Sequence, residues 1–223
     1  MTFLDIDVFE LASTVRRRLQ RYPEIVRLLS EDSRIPHVVH GSGRIRLIVV
    51  GQDPTRRNQK VQHQLATVFN WDKRGSMKGY ISRICRGLDI DVNCGVYGTN
   101  LMKCFFSRVI TEDLKSDERL ASIMKFEWLP LLRREVAEFP EATIISLGEP
   151  TYRLLCRLDV PPLRVRWGFQ GTHKEHRGFS HVEADVSELD RPFFPFPHVQ
   201  TVNMDFYRRT FSDYLAFFAQ ESS

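Results

Sequence analysis

The sequence predicts an α/β protein, a three-layer α/β/α sandwich around a central four-stranded, mainly parallel sheet. Three observations carry that prediction. Short apolar runs alternate along the chain with longer stretches of helical periodicity, the order that lays parallel strands side by side under helices on both faces. The run RIRLIVV (44–50) becomes wholly apolar before Gly51, as a strand buried on both faces must. A hydrophobic content of 42% over 223 residues is enough to fill such a core.

In chain order, residues 4–29 place Val8, Leu11, Val15 and Leu19 at helical spacing, and Pro23 divides the run into two helices. Arg16, Arg17, Arg18 and Arg21 mark its other side, read as a solvated face, with phosphate contact as the alternative. Strand 44–50 follows, then the loop GQDPTRRN. Ser76 is positioned to cap a helix reaching Leu88. Residues 95–101 form the second strand, and residues 116–139 a long amphipathic helix stopped by Pro140. The order then repeats: strand 142–147, a turn at Gly148, and a helix over 149–158 with Pro150 in its first turn. Residues 163–167 read as the fourth strand, and residues 205–220 as a closing amphipathic helix. There is no internal repeat, low-complexity tract or Gly/Ser linker. A single domain over 1–223 is therefore expected, with residues 1–43 as its N-terminal helical region.

The formal net charge of +4 and pI near 9.0 permit a polyanionic partner without requiring one. Cys85, Cys94, Cys104 and Cys156 are widely spaced and form no CxxC pair, which reads as reduced thiols. No stretch approaches the roughly 20 apolar residues of a membrane helix, and the start MTFLDIDVFE is acidic where a secretory signal is basic. A cytoplasmic monomer with no membrane association is expected.

In parallel sheets, ligands bind at loops beyond the carboxyl ends of the strands. That directs attention to the loop after Val50, to Asn100, to the turn after Leu147 and to the loop before the last helix. The first holds Gly51-Gln52-Asp53-Pro54 behind the strand IVV. This segment resembles the first active-site motif of the uracil-DNA glycosylase superfamily, family-1 members in particular. GVYGTNLMKC, with Asn100, resembles the family's base-reading strand, and TIISLG its third core strand. Pro195-Phe196-Pro197 in FFPFPHVQ resembles the Pro-Ser-Pro core of its second motif, just before the terminal helix. The resemblance spans roughly residues 44–218.

The resemblance implies a monofunctional DNA glycosylase that needs no cofactor. It would flip a pyrimidine nucleotide out of DNA, hydrolyse its N-glycosidic bond and leave an abasic site. That reaction develops positive charge on the sugar and negative charge on the departing base, mainly at O2. Asp53 matches the carboxylate that orients water and stabilises the cationic sugar; the plainer reading is an Asx-turn before Pro54. Gln52 matches the residue lying against the base. Asn100 matches the residue that reads the base edge, since its amide pairs with N3–H and O4 of uracil or, flipped, with N3 and the amino group of cytosine. The plainer reading is a strand-end cap. Phe69, slightly preferred, or Trp71 would stack on the flipped base, although either also suits a core.

The pattern departs from the family at two positions. Thr55 stands where family-1 enzymes carry a Tyr that blocks C5 of the base, so C5-modified pyrimidines become candidates beside uracil. Arg56 and Arg57 follow, with donors for hydroxyls or phosphates. Phe194 stands where the family's His supports the O2 oxyanion, a donor whose loss typically costs about 3–4 kcal/mol. His198 is the candidate substitute, with phosphate or solvent contact as the alternative. Pro195 and Pro197 resemble the loop pressed on DNA phosphates, with Val199 or Phe196 as a wedge and Gln200 beside it, although a Pro-Phe cluster also packs as core.

No metal site is expected: His173, Glu175 and His176 lack a clear further ligand, as do His37 and His40. The cysteine spacing does not suit an iron-sulfur cluster, and the absence of a phosphate-binding glycine motif argues against a nucleotide cofactor. No lysine occupies the motif loops to act as a lyase. The expected partner is DNA, and two roles fit: repair of deaminated cytosine, or removal of modified bases such as those of some viral DNA. The competing readings are a catalytically weakened protein of the same fold that binds uracil-containing or abasic DNA, and an unrelated small-molecule α/β enzyme.

Overall fold

The computed structural model describes residues 8–55, 65–73, 75–169 and 178–222. Its sheet has five strands where the sequence suggested four: β1 (Val39–His40), β2 (Leu47–Gly51), β3 (Val96–Asn100), β4 (Thr143–Leu147) and β5 (Phe194–Phe196), in the order β1-β3-β2-β4-β5. Only β1 runs antiparallel to its neighbour. The apolar LIVV run sits at the centre, every residue of β2 buried. The carboxyl ends are level, with Gly51 of β2 paired to Asn100 of β3.

Residues paired across parallel strands face the same side. Tyr97 and Thr99 face a helical layer of α1 (Val8–Leu19), α4 (Thr111–Ser116) and α5 (Glu118–Ala137). Gly98, Asn100, Phe194 and Phe196 face the other layer, with α3 (Ser76–Gly87) and α8 (Asp205–Glu221). The sheet is thus covered on both sides, as expected.

The described part of the expected N-terminal helical region contains α1 and α2 (Pro23–Val26), with Pro23 opening the second helix from its first turn, but it also contributes β1 to the sheet. The arginines of α1 are not simply a solvated face. Arg18 pairs with Glu127 of α5 at 2.7 Å, and Arg16 donates to the Ser30 carbonyl at 2.7 Å, so both tie α1 to the body. Asp117 caps α5 by accepting from the Leu120 N–H at 3.0 Å, leaving α4 as a separate short helix before it. α6 (Glu149–Leu154) starts behind Gly148 at φ +87°, a backbone that suits glycine, and ends earlier than its periodicity suggests.

The expected strand at 163–167 is instead a short helix, α7 (Leu163–Arg166), entered through Pro162. Its place in the sheet belongs to β5, inside the Pro-Phe-Pro motif. Prolines lack the donor that a central strand needs, but an edge strand has no outer partner to supply. Trp167 just after α7 stacks on Tyr214 at 3.9 Å and donates its indole N–H to the Pro195 carbonyl at 2.8 Å. Tertiary burial of that ring overrides the alternation of apolar residues and arginines in its segment. The cysteines are free thiols, with Cys85, Cys104 and Cys156 buried and pushed up to about 12 by that burial. No helix among the described residues is long and apolar enough to cross a membrane.

Candidate active site

The carboxyl ends of the four parallel strands present their loops along one edge of the sheet. Here Gly51, Asn100 and Phe69 share a common seat. A Cβ on Gly51 would lie 2.4 Å from Oδ1 of Asn100 and 2.7 Å from Cε1 of Phe69. A Cβ on Gly98, one strand over, would lie 3.2 Å from Cε2 of the same ring. Two glycines therefore clear the sheet surface so that the phenyl ring lies on backbone beside a buried carboxamide. Phe69 and Asn70 hold left-handed backbone at φ +59° and +56°, conformations that cost non-glycine residues energy and persist where the surroundings enforce them. Thr67 braces that turn: its hydroxyl accepts from the Trp71 N–H at 2.8 Å and bonds Asp72 at 2.6 Å. Trp71 is half-buried, with the Lys78 ammonium 5.3 Å from its ring centre.

Asp53 lies two residues beyond Gly51 and is half-buried. Its Oδ1 accepts the Thr55 N–H at 2.8 Å, so the Asx interaction raised by the sequence is present. Burial pushes its pKa up to about 6, against the pull of hydrogen bonds from Thr55 and Gln52. The carboxylate is thus ionised at neutral pH but within reach of a proton. Thr55 does more than stand where a ring might: its hydroxyl also accepts the Phe106 N–H at 2.9 Å and so pins the loop to the segment after β3. Gln52 accepts from the Thr111 hydroxyl at 3.1 Å, while its backbone carbonyl takes the Met102 N–H.

At the far end of the same edge, β5 delivers His198. A Cβ on Gly148, at the end of β4, would lie 3.5 Å from the His198 Cβ. His198 is half-buried, and its Nδ1 accepts the Gln200 N–H at 3.3 Å, which leaves the proton of the neutral ring on Nε2. Pro195 and Pro197 are both buried, their carbonyls taken by Trp167 and by the Tyr80 hydroxyl at 2.9 Å, so they brace the loop from within. Phe196 is fully buried among Trp167, Tyr214 and Phe218, which removes it as a wedge. Val199 is half-buried and Gln200 exposed. Phe194 packs its ring against Phe218 and His181 and belongs to the core.

Arg56, Arg57, His173, Glu175 and His176 lie outside the described residues. His40 contacts the Gly41 carbonyl and the Tyr97 and Phe139 rings, while His37 stacks on Phe9. A group that sequence reasoning passed over lies behind Asn100: Lys103 and Glu135, both buried, form an ion pair at 2.9 Å. The one signal for it was a lysine within the otherwise apolar stretch LMKCFF, since Glu135 follows two arginines and reads as an ordinary charged helix position.

Compared with known families, the chain matches the profile described as "Uracil DNA glycosylase superfamily" over residues 38–220. No curated protein matches it. The matched span opens beside β1 and closes within α8, so it takes in the whole sheet and all four strand-end loops. With the family's fold present and the match covering most of its length, the chain belongs to the uracil DNA glycosylase superfamily.

Proposed function

We propose that this protein is a monofunctional DNA glycosylase that hydrolyses the N-glycosidic bond of a flipped-out pyrimidine, acting as a monomer without cofactor. The observation that carries the reading is the shared seat of Gly51, Asn100 and Phe69, with Asp53 two residues along the same loop. Phe69 offers a ring for the base to stack on, recovering part of the stacking lost on leaving the duplex. The Asn100 carboxamide supplies one acceptor and two donors for the base edge. Asp53, ionised, orients the attacking water and stabilises the cationic sugar as the bond lengthens. His198, protonated on Nε2 when neutral, is the donor for the O2 oxyanion that Phe194, locked in the core, does not supply. Val199 and Gln200 are the groups of that loop left to meet DNA.

Thr55 favours a second element of this reading, acceptance of C5 substituents. Its side chain is far smaller than a tyrosine ring, and its hydroxyl is committed to Phe106 and Asp53. Uracil and C5-modified pyrimidines are therefore both proposed substrates, which fits either repair or removal of foreign modified DNA. The test is incubation with duplexes carrying uracil, thymine, hydroxymethylcytosine or its glucosylated form, with mass spectrometry of the released base. Release of at least one base, lost in Asp53→Ala, is the expected result. A mobility shift with no release from any duplex would assign the chain to the binding proteins of this fold instead.

A further inference from the structure

Behind the seat of Asn100, on the opposite face of the sheet, lies an ionic network. The ammonium of Lys103 donates to the Asn100 carbonyl at 2.6 Å, to the Thr99 hydroxyl at 2.7 Å and to Glu135 Oε2 at 2.9 Å. The Thr99 hydroxyl in turn donates to the same carboxylate oxygen at 3.0 Å. Lys103 is 2% exposed, Glu135 and Thr99 are both 0% exposed, and Asn100 is 2% exposed.

Stability alone does not explain such a group. Apolar side chains of similar volume in place of a buried ion pair are often neutral or stabilising, and these residues are surrounded by core. The location is more informative. Asn100 is the last residue of β3, where the chain leaves the ladder. Beyond it, the Leu101 and Met102 N–H groups reach back to the carbonyls of Gly51 and Gln52. The Asn100 carbonyl faces the other way and is held by the lysine. The peptide at Asn100 is thus clamped from both sides, by the Gly51–Gln52 backbone and by the Lys103–Glu135 pair, and that clamp sets the direction in which its Cα–Cβ bond points.

We propose that Lys103 and Glu135 are positioning residues that aim the Asn100 carboxamide at the base. The proposal rests on the glycosylase reading above. It concerns orientation and not chemistry, since neither side chain faces the seat of Phe69. A misplacement of about 1 Å at a reacting group can cost roughly 10²-fold in rate, so a clamp behind a base-reading residue has leverage out of proportion to its contacts.

The test is a mutant cycle. Lys103→Met alone strands a buried carboxylate, so the informative variant is Lys103→Met/Glu135→Leu, which fills the site with apolar groups. Its single-turnover excision is expected to fall roughly 10- to 100-fold, with duplex affinity within about twofold of wild type because phosphate contacts dominate binding. In an Asn100→Ala background the same pair of substitutions is expected to cause no further loss, since the residue being aimed is gone. Unchanged excision, or an equal loss in both backgrounds, overturns the proposal. Thr99→Val removes only the shared hydroxyl and serves if the double variant does not fold, with a smaller loss of the same Asn100-dependent kind expected. If the wild type releases no base, the glycosylase reading fails, and the clamp is judged by NMR of the Asn100 side-chain amide. A shifted or broadened resonance in the double variant supports it, and an unchanged one overturns it.

Discussion

The carboxamide oxygen of Asn100 occupies the space that a side chain on Gly51 would need, 2.4 Å from where its Cβ would stand. Because both Asn100 and the Phe69 ring press on that point, each closer than 3.0 Å, Gly51→Ala must displace both. Overpacking of this kind typically costs about 1–3 kcal/mol. The variant is expected to remain folded, to melt a few degrees lower by calorimetry, and to lose roughly 10²-fold in excision through misplacement of the two groups proposed to hold the base. An Ala variant with wild-type excision would remove Asn100 and Phe69 from the site.

Asp53, with its pKa pushed up to about 6, predicts an acid limb near that pH in excision of the bound substrate. Stability follows with a definite sign. The folded state keeps the proton on Asp53 through a window in which the unfolded chain, titrating near 3.8, has released it. The contribution is therefore fully present below pH 3.8 and lost as pH rises through about 6. Asp53→Asn is expected to match wild type near pH 4 and to exceed it at pH 8 by up to about 3 kcal/mol. Its excision is expected to fall by roughly 10²- to 10⁴-fold. Denaturant melts at the two pH values check the first point and single-turnover rates the second.

Thr55→Val removes the acceptor of the Phe106 N–H and one of the hydrogen bonds that hold the Asp53 pKa down. The expected outcome is a loss of about 1–3 kcal/mol and an acid limb displaced to higher pH. An unchanged limb would mean that the hydroxyl does not act on the carboxylate.

Tyr80→Phe leaves the Pro197 carbonyl without its buried donor, next to His198. A stability loss of about 1–3 kcal/mol is expected by urea unfolding, accompanied by slower excision if that loop presents the donor for O2. His198→Ala is expected to slow excision by a comparable or larger factor without the stability loss, because its side chain is half-buried at the rim.

The strands ending near Val50 and Leu147 were legible because a parallel strand buried on both faces is largely apolar at successive positions and each run ends at a glycine turn, whereas the strand ending at Asn100, GVYGTN, was marked only by its Val and Tyr ahead of a polar motif. The place of the loop carrying Asp53 was legible because it follows directly on the carboxyl end of the buried central strand, β2. Strands β1 and β5 were not. Residues 163–167 carry strand-like alternation, yet the burial of Trp167 against Tyr214 makes them a helical turn, and the vacated edge is filled by a proline-rich segment that no propensity scale would nominate. Phe196 was offered as a wedge or as core, and only its packing against three aromatic neighbours settled which.

Local pattern by itself determined the layered α/β class, the central strand, and the loop and strand end that carry Asp53 and Asn100, because hydrophobic periodicity and turn chemistry act over a few neighbouring residues. The tertiary structure alone decided which residues meet across distance. It set a ring from one turn on the glycines of two strands, turned Pro195 and Pro197 inward, and joined Lys103 to Glu135 behind Asn100. Those contacts depend on strand register and layer packing, which are collective properties of the folded chain that no single segment encodes.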